Sequence, residues 1–446
     1  MYFVVIAGLA LAAFAVDQDV RPAGMLAAGL GTAAMTVVPA AAASGFMLFL
    51  GAKRRRAPGG FQGGTWERLS SLYTRGVRAA EILTVADYAV SLHVFGWAGV
   101  PAGLGIGRWE LPAGGILVAP FLASLLLAWI PLHYAEMNLQ SSGPTLGQQL
   151  SFNVRQYILT LVVPVGLIPA VIDGMALLPE RFRGPLGNEV VRSAAAAAAL
   201  ACGFAVAPFV LVRLWKTSRL PECSLRERLC ELCRRVGVRF RDIRIWETPG
   251  LYFLNAAVMG VVGAARYIVV SRTLVEVMAQ EQVEAVFAHE LGHARHRHLV
   301  YYLVFAADFV LLGNLFDTLT GASQLWPATS FAIVATAGFA IYWGVGFGHV
   351  SKIFERDADL FGAEAVGDTP LYVLALETLA HLNGVSPTAR SWRHGSIASR
   401  VRLLHAAAEN ADVRQRFLAR VRFLKVFLVV TAAAALAANV VVAFMA

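Results

Sequence analysis

Apolar positions along this chain gather into long blocks, and the polar positions gather between them. Blocks of about 18 to 25 apolar residues can cross a bilayer as helices. Nine fall near 1–16, 24–50, 84–105, 114–132, 156–178, 193–214, 299–316, 327–348 and 426–446. The third is interrupted by Asp87 and His93, and the second is rich in Gly and Ala, so seven to nine membrane helices are expected. Asp308 and Asn314 within the seventh predict a face turned to protein or water rather than lipid. The first block lacks a basic start, and "AVDQDV" is a poor processing site, so it reads as a membrane helix rather than a cleaved leader.

Two polar stretches change the period. In "SLRERLCELCRRVG", Leu225, Leu229, Leu232 and Val236 recur at helical spacing, Ser224 and Glu227 suggest a capping box, and Gly237 is a helix stop. "VRFRDIRIWE", "YFLNAAVMG" and "RYIVVS" read as strands, the first broken near Asp242 and the last two joined by a turn at Gly263. "SRTLVEVMAQ" is a short helix, and a longer one starts near Gln280. Further on, "SKIFERDADLFGAEAVG" is a helix ended by Gly367, "PLYVLALETLAHLNG" is another, and "SWRHGSIASRVRLLHAAAEN" is part loop and part helix. The expected organisation is a multi-helix transmembrane region over 1–214, a polar segment over 215–298, a transmembrane hairpin over 299–348, a second polar segment over 349–425 and a last transmembrane helix over 426–446. The fold class is therefore a mainly α-helical polytopic membrane protein carrying a small β-sheet.

Composition agrees with this picture: 57% of the 446 residues are hydrophobic and 15% charged, where soluble domains carry roughly 25% charged residues. The net charge of +9 would suggest nucleic acid in a soluble protein, but here its location argues otherwise. "AKRRRAP", Arg68, Arg75 and Arg78 crowd the 51–83 loop, while the connections near 17–22, 106–113, 180–191 and 317–326 are poor in basic residues. That asymmetry places the amino terminus, the 51–83 loop and both polar segments in the cytoplasm, against an anionic lipid surface. No nucleic-acid partner is expected. The Ala/Arg-rich composition hints at a GC-rich genome and so at a bacterial cell membrane. Of Cys202, Cys223, Cys230 and Cys233, the last three in "CSLRERLCELC" lack the second pair a thiolate zinc site needs, and read as small buried side chains on a helix.

The chemistry concentrates in "HELGHARHRH", which holds four of the chain's ten histidines. His289 and His293 lie four apart, on one helix face, and two neutral imidazoles there suit zinc. Glu290 beside them can take a proton from an attacking water and pass it to a leaving amine. Gly292 reads as leaving room beside the metal. A hydrolytic zinc needs a third protein ligand and an open position. Glu355 in "FERDAD" lies beyond two apolar blocks, so two crossings return it to the side of the histidines. Asp359, one turn further, can orient a ligand. On spacing alone, Glu355 and Asp359 also fit a solvated helix face. His296 and His298 fit interfacial polar residues or accessory groups facing metal or substrate.

From about 225 to 405, through "NAAVMG", "YIVVSRTLVE", "VEAVFAHELGHARHRH", "FERDADLFG" and "HGSIASR", the chain resembles the integral-membrane zinc metallopeptidases of the CAAX prenyl protease 1 and HtpX-like type. Its length and helix count are closer to the longer prenyl-protease type. The resemblance implies a zincin-like domain with one catalytic Zn2+ held by His289, His293 and Glu355, and Glu290 as general base. It implies that Arg400 pairs with a buried Asp359, that His394 stabilises the oxyanion, and that Asn255 hydrogen-bonds substrate backbone beside an edge strand. The family commonly has arginine at the position of Lys352 and proline at that of Gly395. The expected function is peptide-bond hydrolysis in membrane-protein quality control or maturation. The alternatives are CAAX-type prenyl-protein processing and an inactive membrane scaffold of the same fold. A transporter is disfavoured, because few charges lie inside the apolar blocks. Peptides or membrane proteins are the expected substrates, and the oligomeric state is left open.

Overall fold

The computed structural model describes residues 2–16, 24–55, 64–139, 143–179, 202–203, 205–321, 325 and 328–445. The chain forms two compact units: Met1–Gly203 with Pro249–Leu251 and Trp326–Ala337, and Phe204–Thr248 with Tyr252–Leu325 and Gly338–Ala446.

The first unit is helical: α1 (Tyr2–Val16), α2 (Met25–Arg55), α3 (Gly64–His93), α4 (Glu110–Met137) and α5 (Leu146–Ala176). Its core gathers Tyr88, Leu92, Leu117, Phe121 and Leu125. The Tyr88 hydroxyl donates to the Leu117 carbonyl at 2.8 Å, so its burial leaves no unmatched donor. The block expected over 84–105 is the end of α3 joined at a 60° bend to Trp97–Gly103. The bend falls just after His93, where Gly96 adopts a left-handed φ of 70°. Within α5, Val154–Leu159 loosens into a π-turn, which hydrophobic spacing does not reveal.

The second unit carries the sheet, β1 (Thr217–Arg219), β2 (Asp242–Trp246), β3 (Ala256–Met259) and β4 (Tyr267–Ser271), in the order β1-β2-β4-β3. β2 and β4 run parallel, and β1 and β3 lie antiparallel on the outside. β4 is buried at every position, as its run of Ile and Val requires, whereas β3 keeps one edge free of strand partners. β1 is an element the sequence pattern did not suggest, since three residues carry no readable alternation. The helices of this unit are α6 (Ser224–Arg235), α7 (Arg272–Val277), α8 (Gln280–Arg295), α9 (His298–Thr320), α10 (Ala328–Ile341), α11 (Gly348–Val366), α12 (Thr369–Leu382), α13 (Ile397–Glu409) and α14 (Ala411–Met445), with α10 beginning in the first unit. Leu229, Leu232, Ile243, Ile268, Phe287 and Leu291 join α6, the sheet and α8 in one core. The capping box expected at Ser224 does not form. Cys223 occupies the cap position without a side-chain bond, and the Ser224 hydroxyl meets the Gln280 side chain instead.

Among the described residues, α2, α4, α5, α9 and α14 are long and apolar enough to cross a membrane, and the bent α3 pair makes a sixth. α1 has 15 residues. The block expected at 193–214 lies partly outside the described residues, and its remainder, Ala205–Leu214, is helical. The 327–348 block is α10 followed by a π-turn, Tyr342–Phe347, leading into α11. The polar residues of α9 do face protein: Asp308 accepts from the Tyr342 hydroxyl at 3.2 Å, and Asn314 donates to Asn439 of α14 at 2.6 Å.

Candidate active site

α8 and α11 cross with unusually little space between them. A Cβ on Gly292 would fall 2.9 Å from the Ala358 Cα, so only glycine permits this approach. The expected role of Gly292, room beside a metal, is therefore corrected: it faces the helix bearing Glu355. Nε2 of His289 and Nε2 of His293 lie 3.2 Å apart. The Glu355 oxygens stand 3.5 Å from His289 Nε2 and 3.6 Å from His293 Nε2. Zinc bonds of about 2.1 Å at tetrahedral angles require ligand atoms about 3.4 Å apart. The triangle thus fits a single zinc ion on its donor chemistry and its edges alike. Among the described residues a second cluster, His296, His298 and Asp357, also brings three such groups together.

A buried polar frame holds the triangle. Asp359 lies one turn after Glu355, 1% exposed. It receives His289 Nδ1–H at 3.0 Å, the Tyr372 hydroxyl at 3.0 Å, and Arg400 through Nε at 2.6 Å and Nη2 at 2.5 Å. Arg400 also places Nη1 3.5 Å from Glu355. Burial disfavours ionised Asp359, but the guanidinium charge and its two hydrogen bonds win and hold the carboxyl well below its usual range. Burial likewise opposes a charged His289, yet the bonds and charges of Asp359 and Glu355 raise it to about 10. The environment is thus built to welcome positive charge between two carboxylates. Burial and the neighbouring His289 charge hold His293 well below its ordinary value, which keeps its ring neutral. Tyr372 escaped the sequence reading because nothing in "PLYVLALE" marks one apolar-face residue as polar. Gly362 makes room for it: a Cβ there would fall 2.6 Å from the tyrosine ring.

Glu290 sits at the rim. Its Oε2 accepts the Val258 N–H from β3 at 3.1 Å. Burial among protein atoms pushes it up to about 7, against the pull of His289, the range suited to a proton carrier at neutral pH. Val258 therefore turns its N–H away from β4 toward Glu290. Asn255 precedes β3 and is exposed; its Oδ1 accepts Ala256 N–H at 3.0 Å. His394 is half exposed, with Nδ1 2.9 Å from Glu355, on a loop closed by a bridge between Ser391 and Gly395. Gly395 adopts φ of 72°. Proline, fixed near −65°, cannot take that conformation, so the loop here is shaped for glycine.

Residues 220–438 match Peptidase family M48. The protease HtpX homolog of Aeropyrum pernix is 26% identical over 223 residues, spanning 47% of this chain and 69% of that protein. In fold, the crystal structure of S. mikatae Ste24p is similar over 86% of this chain and 99% of its own, with a TM-score of 0.55 at 16% identity. The family match covers every residue of the triangle and its frame, which lie on helices packed beside the apolar α9 and α14; the chain carries a peptidase domain of family M48 and is a membrane zinc metallopeptidase.

Proposed function

We propose that His289, His293 and Glu355 hold one zinc ion, and that the chain cleaves an extended peptide laid along the free edge of β3. One observation carries this reading: the donor triangle and Glu290 converge beside the edge strand, with Val258 N–H bonded to Glu290 itself. The bound ion would polarise the scissile carbonyl and acidify the attacking water. Glu290 takes the proton of that water and returns it to the leaving amine. A substrate strand pairs with outward groups of β3, a recurring mode of peptide capture, and Asn255 at the strand's start contacts its backbone. His394, on its exposed loop, donates to the oxyanion as the carbonyl becomes tetrahedral. Arg400 and Asp359 hold His289 and the ligand helix in place.

Of the two substrate classes, CAAX-type processing of lipid-modified chain ends is better supported than quality control. The sequence resembles the longer prenyl-protease type in length and helix count. The fold likeness runs through the membrane part as well, whereas the likeness to the HtpX homolog spans 47% of the chain. The positive-inside pattern supports a site on the cytoplasmic side of the membrane. The test is cleavage by the purified zinc-loaded chain of two peptides identical but for a carboxyl-terminal farnesylcysteine. Preferential cutting of the lipidated peptide, lost in Glu290→Gln, is expected. Equal cutting of both, together with degradation of unfolded membrane proteins, would return the reading to quality control.

A further inference from the structure

The second histidine cluster reads as a hydrogen-bonded group. Its contacts, 2.8 Å from His296 Nδ1 to Asp357 Oδ2 and 2.9 Å from His298 Nε2 to the same oxygen, are hydrogen-bond lengths, shorter than the roughly 3.4 Å edges of a tetrahedral zinc site. Lys425 of α14 faces that oxygen too, at 3.5 Å. What the cluster does touch is a member of the first triangle: His298 Nδ1 lies 2.9 Å from His293 Nδ1.

Only one arrangement of protons satisfies these contacts. His293 turns Nε2 to the triangle, so its proton is on Nδ1. Two ring nitrogens facing each other share one proton, which leaves His298 Nδ1 as the acceptor. The proton of His298 is then on Nε2, where Asp357 accepts it. We infer that His298 is a positioning residue for zinc: it fixes the tautomer and plane of His293 and, through Asp357, ties that ring to Lys425 on the last membrane helix. The inference rests on the zinc reading of His289, His293 and Glu355.

The surroundings hold His298 rigidly. Its side chain is 0% exposed, and its ring stacks on Phe354 at 4.3 Å and 2° between planes. The chain reaches this position through Arg297, whose φ of 56° is one of two left-handed non-glycine conformations among the described residues. That residue lies between the end of α8 at Arg295 and the start of α9 at His298, so the first residue of a membrane helix folds back onto the histidine one turn and a half earlier. Lys425 also donates to the His296 carbonyl at 3.3 Å and lies over the Phe354 ring at 5.6 Å. The two histidines of the triangle are thus supported differently: His289 directly by Asp359, His293 by a neutral ring interposed before its carboxylate.

The test uses the two amide side chains as partial copies of the ring. Asparagine can place an acceptor near the Nδ1 position, whereas glutamine reaches the Nε2 position and leaves Nδ1 empty. Zinc affinity of the purified full chain is measured by competition with a chelator, beside thermal unfolding. His298→Gln is expected to weaken zinc binding by roughly 10- to 100-fold, the usual loss on removing an outer partner of a ligand, and His298→Asn to recover most of it at a similar melting temperature. Unchanged zinc affinity in His298→Gln would overturn the inference, as would equal losses in both variants that merely follow unfolding. Histidine 15N spectra of the unmodified zinc-loaded chain need no variant. They should show His298 protonated at Nε2, and protonation at Nδ1 would refute the relay. A chain that binds no zinc even when unmodified would sink the zinc reading itself, an outcome distinct from tight binding that ignores position 298.

Discussion

Arg400→Ala isolates what the buried frame contributes. The substitution removes two short hydrogen bonds from Asp359 and a third positive contact from Glu355, while Asp359 stays 1% exposed. Unit charges about 4 Å apart attract by roughly 4 kcal/mol at an effective dielectric of 20. Breaking a buried pair by removing one partner costs about 3–5 kcal/mol, because the other charge is stranded. Asp359 retains the Tyr372 hydroxyl and His289 N–H, which favours the low end, about 3 kcal/mol. For a domain of 219 residues, counting 220 through 438, each kcal/mol moves Tm by about 2–4 °C, so a fall of roughly 6–12 °C is expected. Differential scanning fluorimetry on detergent-purified chain reads this, with metal analysis alongside. Asp359→Asn combined with Arg400→Ala removes the stranded charge and should regain part of the loss. His394→Ala is the contrast: zinc and Tm near the unmodified values, with turnover lower by about 3 kcal/mol of transition-state stabilisation, roughly a hundredfold. A Tm for Arg400→Ala within about 2 °C of the parent would refute the argument. So would zinc loss in His394→Ala paired with mere slowing in Arg400→Ala, since the two roles would then be exchanged.

His289→Ala and Glu355→Ala are expected to lose zinc by metal analysis, whereas Glu290→Gln keeps zinc and loses turnover; full activity in Glu290→Gln would end its assignment as base. Reporter fusions after residues 60, 230 and 380 should all report the cytoplasm and a carboxyl-terminal fusion the opposite face; opposite answers from 230 and 380 would separate Glu355 from the histidines. Glu247 is held below its usual value mainly by its hydrogen bond to Arg272, against partial burial. A depressed carboxyl stabilises above its unfolded pKa of about 4.3 and loses that contribution as pH falls through the lower folded value. Arg272 is 50% exposed and Glu247 30%, so solvent screens the pair and Glu247→Gln should cost no more than about 1 kcal/mol in urea melts at pH 7, and the difference from the parent should shrink below pH 4.

The parts that were legible in sequence share one property: their signal is periodic or local. His289 and His293 announce a shared face by their spacing. Glu355 is placed with them by an expected pair of crossings, of which α9 alone is long and apolar enough among the described residues; the geometry brings it within 3.6 Å all the same. β2, β3 and β4 followed from short apolar runs, although β3 covers only Ala256–Met259 of the expected "YFLNAAVMG". What remained hidden depends on contacts between elements distant in sequence. Tyr372 looks like any apolar-face residue until Gly362 admits its ring beside Asp359. The π-turns in α5 and before α11 leave the hydrophobic pattern intact, and β1 is too short to show one. The Ser224 capping box failed for the same reason: a local motif was outcompeted by the side chain of Gln280, 56 positions away. His298 is the sharpest case. Its place in the sequence left an interfacial residue and an accessory group facing metal or substrate both readable. Its role depends on the left-handed turn at Arg297, which basic side chains adopt rarely and no pattern foretells.

Those hidden contacts also explain why the site tolerates so little freedom around so few residues. α8 carries both histidines and Glu290, the proposed base, α11 carries Glu355, Asp357 and Asp359, and the Gly292–Ala358 approach sets the distance between them. Any residue larger than glycine at 292 would push the helices apart, lengthening both histidine–glutamate edges together. The outer supports then act at right angles to that spacing. Asp359 fixes the turn of His289 about its own bonds, and His298 does so for His293. Helix packing therefore sets how far apart the proposed ligands stand, and buried hydrogen bonds set which nitrogen each histidine presents. Zinc needs both, since a ring at the correct distance with its proton on the inward nitrogen cannot bind. The two conditions rest on separate residues. A substitution at Gly292 should therefore weaken binding through distance, with the tautomers intact, whereas one at His298 should weaken it with the helix spacing intact.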